Sequence, residues 1–136
     1  VRATARRRRG FTHDVEIEGG HSVVIDEPPE SSGADEGPSP TRMLAAALAA
    51  CTAITVEMYA GRKGWELGEV EVEVEMGYDE KATPSTFEVT VRIPEPLDAE
   101  QQDRVLAIAA KCPVHRALSS EAEVSIRDRI ECQQPG

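Results

Sequence analysis

Aromatic residues are scarce: Phe, Tyr and Trp make up 4% of the 136 residues, so the core must be built mainly from Val, Ile, Leu and Ala. Cysteine is sparse too. Three cysteines make no disulfide scaffold, no secretory signal is read ahead of them, and reduced thiols in the cytoplasm are the expectation. Basic charge is in deficit, with 15 Lys and Arg against 25 Asp and Glu for a net charge of −10. Such a chain repels phosphate backbones and anionic lipid, which argues against nucleic acid and membrane partners. The longest apolar run, Met43 to Val56, has 14 residues, short of the roughly 20 that a bilayer span needs. What is present is a globular balance, 40% hydrophobic and 29% charged. The length suits one domain that buries roughly two thirds of its unfolded surface.

The charge is uneven. Residues 1–10 hold Arg2, Arg6, Arg7, Arg8 and Arg9 and no acid, so the remainder carries 10 bases against 25 acids. A solvated N-terminal strand or tail facing an acidic surface accounts for this run better than a nucleic-acid arm. The start at Val1 rather than Met leaves room for residues upstream.

Residues 1–27 read as a β segment. His13, Val15 and Ile17 alternate with acids, Gly19-Gly20 makes a turn, and His21 to Asp26 resumes as a strand, a hairpin pattern. A polar loop follows over 28–38. Ser39-Pro40 then opens a helix over 39–63, with Ser as N-cap and Pro where a missing N–H is harmless. Its apolar residues leave almost no polar face, so it must be buried on more than one side. Val70, Val72, Val74 and Met76 alternate with glutamates, and Phe87, Val89, Val91 and Ile93 repeat the pattern, predicting a hairpin over 66–94. The glutamate comb is a solvated sheet face rather than a metal site. Asp98 and Gln101 begin helices over 98–119, broken at Cys112-Pro113. Val124, Ile126 and Ile130 predict a final strand over 122–131. Clustered strands and clustered helices make an α+β fold with mainly antiparallel sheets around a long central Ala-rich helix.

The thiols divide by setting. Cys51 lies in the buried helix, where a free Cys behaves as a small hydrophobe and would need a nearby cation to ionise. Cys112 sits at the N-cap of a short helix beside Lys111, His115 and Arg116, a setting that favours an anion. Cys112 and His115 have metal-ligand spacing, a weak signal on its own. Cys132, near the C-terminal end, is a bystander. Two thiols 61 residues apart are a candidate redox pair or two unrelated cysteines.

Gly37 to Pro40 followed by Met43-Leu-Ala-Ala-Ala-Leu-Ala-Ala-Cys51-Thr-Ala53 resembles the central helix of the OsmC/Ohr family, the osmotically induced and organic hydroperoxide resistance proteins. His21 to Pro29, Arg62-Lys-Gly-Trp65 and Lys111-Cys-Pro-Val-His-Arg116 resemble flanking motifs of its OsmC-like branch, in the same order. The likeness covers nearly the whole chain. It implies an intertwined homodimer with an active site at the interface, in an apolar pocket. It also implies a thiol peroxidase without cofactor or metal, in which Cys51 is peroxidatic toward an organic hydroperoxide and Cys112 resolves. A dithiol reductant of thioredoxin or lipoyl type would recycle the pair. In the family an Arg on the N-terminal hairpin, held by a Glu ten residues before the Cys, activates the thiolate. Here Thr41 stands at the Glu position, followed by Arg42. The candidates for the activating group are therefore Arg9, His13 and Arg42. If none reaches Cys51, the same fold would serve as a non-peroxidatic small-molecule-binding or redox-sensing protein. A metal site from Cys112, His115 and Cys51 is the third reading.

Overall fold

The structure, a computed structural model, describes residues 1–133 and 135. Arg-rich β1 (Ala3–Arg9) is a true strand, paired antiparallel with β2 (Thr12–Ile17), which pairs in turn with β3 (His21–Ile25). The register sets Ala5 beside Val15 and Val15 beside Val23, so one face of this sheet is apolar. The turn between β2 and β3 has φ of 107° at Gly19 and 86° at Gly20, a conformation that favours glycine at both places. Beyond β3 the chain folds back tightly. A Cβ on Gly33 would fall 1.8 Å from the Glu27 carbonyl oxygen, and one on Gly37 would fall 2.2 Å from that of Val24.

That return is organised by a buried carboxylate. Asp26 is 1% exposed and accepts the backbone N–H groups of Glu27 (2.7 Å) and Glu36 (3.2 Å). The hydroxyl of fully buried Thr12 lies 2.7 Å from Asp26 Oδ2 and 3.0 Å from Glu36 Oε2, and Arg9 ion-pairs with Glu36. Burial alone would push the Asp26 carboxyl up; the Thr12 hydroxyl and the N–H groups of Glu27, Glu36 and Ala34 outweigh it and hold it below the ordinary value.

The central helix, α1 (Pro40–Lys63), starts at Ser39, whose side chain accepts the Arg42 N–H, and stops at Gly64 in the left-handed region. Its buried stripe is Leu48, Thr52, Val56 and Ala60, one residue per turn. At 24 residues it is long and apolar enough to cross a bilayer by length and composition, contrary to the expectation from the 14-residue run. It is the core helix of an α+β domain instead. One side packs on the hairpin of β4 (Glu71–Tyr78) and β5 (Pro84–Arg92), on α2 (Ala99–Ala109) and on α3 (Pro113–Leu118). The opposite side, with Ala46, Ala47, Ala50, Ile54 and Met58, is exposed.

Val72 faces Val91, Val74 faces Val89 and Met76 faces Phe87 across the β4–β5 hairpin, while Arg92 bridges Glu71 and Glu73 on the solvent face. Asp98 and Gln101 form a complete capping box on α2. The apolar core joins Val56 and Ala60 of α1, Leu67, and Val105 and Ala109 of α2, with Trp65, Val70, Val91, Ile93 and Leu97 packed against it.

The expected strand over 122–131 is not formed: these residues pair with no other strand, and Val124, Ile126 and Ile130 are 63%, 82% and 86% exposed. Alternation supplies the side chains of a strand, but a strand also needs a paired edge, and this segment takes up neither the edges of β1 and β3 nor those of β4 and β5.

Candidate functional site

Cys51 projects from the middle of α1 and is partly buried; Cys112, the residue that caps α3, is wholly buried. Proline at 113 forces Cys112 into an extended conformation (φ −54°, ψ 132°), which ends α2 and turns its thiol back toward α1. The Cys112 side chain is near enough to Cys51 to act on its thiol, and both thiols are free. The Val114 N–H and the Thr55 hydroxyl, one turn on along α1, also act on Cys51. Burial pushes the Cys51 thiol up from its ordinary value and the Cys112 side chain pushes it further, against the smaller opposing pull of Val114 and Thr55. Within one chain, then, burial and the neighbouring Cys112 favour the thiol form of Cys51 over the thiolate.

The three candidate activators lie elsewhere. Arg9 is paired with Glu36 at the end of β1. His13 on β2 has Nδ1 2.8 Å from the Phe11 carbonyl oxygen. Arg42 is exposed in the first turn of α1, nine residues and about 14 Å of helix axis before Cys51. Among the described residues, the groups that act on Cys51 are Cys112, Val114 and Thr55, and none is a cation. The structure thus brings Cys51 and Cys112 together but brings none of Arg9, His13 and Arg42 to them.

Two buried polar atoms near the thiols have no hydrogen-bond partner, Thr52 Oγ1 and His115 Nδ1. Thr52 follows Cys51 on α1 and His115 is one turn beyond Cys112 on α3. Sequence reasoning passed over Thr52 and Thr55, whose only signal was a hydroxyl beside, and four residues after, the helical cysteine. It also missed the clamp of Thr12, Asp26 and Glu36. Among the described residues no group of three or more His, Cys, Asp or Glu is placed to hold a metal ion.

Two hollows bear on the site. One of about 180 Å³ is lined by Leu48, Phe87, Val89, His115, Leu118 and Ser119, and touches both thiol-bearing helices. A larger apolar cavity of about 640 Å³ lies between the N-terminal sheet and the start of α1, lined by residues that include Phe11, His13, Val15, Ile25 and Met43. Neither cysteine lines it.

The OsmC family model, described as OsmC-like protein, matches residues 33–127, a segment that contains both Cys51 and Cys112. No curated protein matches the chain. Among solved structures, an OsmC-like protein of Mycoplasma pneumoniae is similar with a TM-score of 0.75 at 18% identity, covering 87% of this chain and 86% of that one. An organic hydroperoxide resistance protein OsmC of Legionella pneumophila gives 0.63 at 25% identity over 85% and 86% of the two chains. The organic hydroperoxide resistance protein OhrB of Bacillus subtilis gives 0.59 at 26% identity over 85% and 87%.

Proposed function

The chain belongs to the OsmC-like protein family, and from that membership we propose that it is a thiol-dependent peroxidase that reduces organic hydroperoxides to alcohols. The observation that carries this reading is the nearness of a partly exposed thiol, Cys51, to a buried one, Cys112, which acts on it. Similarity to two proteins named for organic hydroperoxide resistance supports the substrate class.

Cys51 is the peroxidatic residue. Its thiolate attacks the terminal oxygen of the hydroperoxide, the O–O bond breaks, and the alkoxide leaves with a proton as the alcohol. Cys51 is then a sulfenic acid. The Cys112 thiol attacks that sulfur and water leaves, forming the Cys51–Cys112 disulfide. A dithiol reductant of thioredoxin or lipoyl type returns both thiols.

The working unit is a homodimer. Support comes from the bare α1 face of Ala46, Ala47, Ala50, Ile54 and Met58, and from the unpaired apolar residues of 122–131, for which a second copy offers cover. A second copy is also the source of the cation that Cys51 lacks, with Arg9, His13 and Arg42 as the candidates. Free thiols suit a reducing compartment such as the cytoplasm.

The test is rapid mixing of reduced protein with cumene hydroperoxide and, separately, hydrogen peroxide, followed by thiol counting. Two thiols per chain should disappear quickly with cumene hydroperoxide, more slowly with hydrogen peroxide, and not at all in Cys51→Ser. One observation favours a second reading: the apolar cavity of about 640 Å³ beneath the N-terminal sheet is lined by neither thiol. Unchanged thiols at millimolar hydroperoxide would replace the peroxidase with a non-peroxidatic small-molecule-binding protein of the same fold.

A further inference from the structure

Lys63, Arg104 and Lys111 gather around one phenol. The Arg104 guanidinium donates to the Tyr59 hydroxyl at 3.2 Å, and Lys63 Nζ stands 5.7 Å from the centre of the Tyr59 ring. Trp65 meets the same ring edge-on, with centroids 5.6 Å apart. The charges of Lys63, Arg104 and Lys111 all act on the hydroxyl, and the Arg104 hydrogen bond is the largest influence holding it below an ordinary tyrosine. Arg6, Arg8, Arg9 and Arg92 are held in ion pairs with Glu16, Asp14, Glu36, Glu71 and Glu73. Among the described residues no ion pair engages Lys63, Arg104 or Lys111. A hollow of about 340 Å³ beside them includes Trp65, Asp98 and Glu100 in its lining. Asp98 caps α2 and the charge of Glu100 acts on Arg104, while Lys63 and Lys111 are exposed and paired with neither carboxylate.

The position of this patch matters as much as its sign. Lys111 directly precedes Cys112, and Tyr59 lies eight residues along α1 from Cys51, about 12 Å of helix axis. We propose that Tyr59, Lys63, Arg104 and Lys111 form the docking patch for the reductant that recycles Cys51 and Cys112, and that this reductant is a protein dithiol bordered by carboxylates. The proposal rests on the peroxidase reading. A molecule of net charge −10 repels such a partner over most of its surface, so the patch both attracts and orients it. In the exchange, a thiolate of the reductant attacks the more exposed sulfur, that of Cys51, and Cys112 leaves and takes up a proton. The second thiol of the reductant then attacks its own bridged sulfur. Cys51 is released as a thiol and the reductant leaves as a disulfide.

The experiment uses Cys-x-x-Cys peptides flanked by Glu, by Ser or by Lys, against protein oxidised to the disulfide with diamide. The Glu peptide should reduce it about tenfold or more faster than the Lys peptide at low salt, with the Ser peptide between them. In Lys63→Glu/Arg104→Glu/Lys111→Glu the order should invert. Should that variant unfold, Lys63→Gln/Arg104→Gln/Lys111→Gln should level the three rates. Thiol-blocked Glu peptide should also quench Trp65, the sole tryptophan, saturably and only in the unsubstituted protein. A faster Lys peptide, the order net charge alone dictates, overturns the proposal. So does a Glu-peptide advantage that survives the substitutions, or Trp65 quenching without any advantage in exchange rate. Diamide oxidation needs no hydroperoxide, so failure of the peroxidase reading shows separately, as intact thiols in the cumene hydroperoxide assay.

Discussion

The two halves of the molecule are held together by different means. From α1 to α3 the chain closes on an apolar core in which Val56, Ala60, Leu67, Val105 and Ala109 meet. The N-terminal sheet has an apolar face too, but the elements of the body barely touch it, and a cavity of about 640 Å³ lies beneath it. Its own return loop is secured by hydrogen bonds to one buried carboxylate, Asp26. Burial of apolar surface is non-directional and tolerates small shifts, whereas a buried carboxylate is stable only while its donors stay in place. The body thus closes on a core of its own, while the N-terminal sheet is held chiefly by its own hydrogen bonds and its apolar face borders the cavity.

Three substitutions or conditions would break that contrast or sharpen it. Leu67→Ala removes the central side chain of the apolar cluster and should cost roughly 2–5 kcal/mol. Its measure is the midpoint of urea unfolding, with the body lost first. Asp26→Ala leaves the Thr12 hydroxyl and the N–H groups of Glu27 and Glu36 without their acceptor, at roughly 1–3 kcal/mol for a stranded buried group. Amide hydrogen exchange should accelerate in β1 to β3 and hold in α2 and β5; equal acceleration throughout would show one cooperative unit instead of two regions. Acid should act as a weaker form of the same change. Asp14, Asp26 and Glu36 all titrate below their ordinary values in the folded chain. Their contribution is thus present above the unfolded values of about 4 and is lost as pH falls through the folded ones. Hydrogen exchange followed downward from pH 5 should loosen the N-terminal sheet before the body.

Legibility followed the range of the interaction. The Ser39 cap, the Asp98 and Gln101 capping box, the Gly19-Gly20 turn and the Cys112-Pro113 break each depend on neighbours within a few residues, and each formed where expected. The clamp joining Thr12, Asp26 and Glu36 spans 14 and 24 residues, and nothing in the local pattern announces it. The segment 122–131 has a strand's alternation and no strand, because pairing depends on an edge that periodicity does not describe. For the site, the two cysteines and the helix that carries Cys51 were visible, and so was the missing glutamate at Thr41. The positions of Arg9, His13 and Arg42 relative to Cys51 were not.

The scarcity of aromatic residues and the long Ala-rich run settle a good deal in advance: small side chains allow close approach around α1 and leave that helix without a polar face. The alternating glutamates likewise settle which side of β4 meets water. Tertiary structure alone decided which side of α1 is covered and which is bare, and that within one chain the side chain acting on Cys51 is Cys112 and no guanidinium of the described residues. The division has a simple cause. Periodicity and capping act within a turn or two of chain, whereas thiol acidity and the pairing of a strand depend on groups that only the folded backbone brings within a few ångströms.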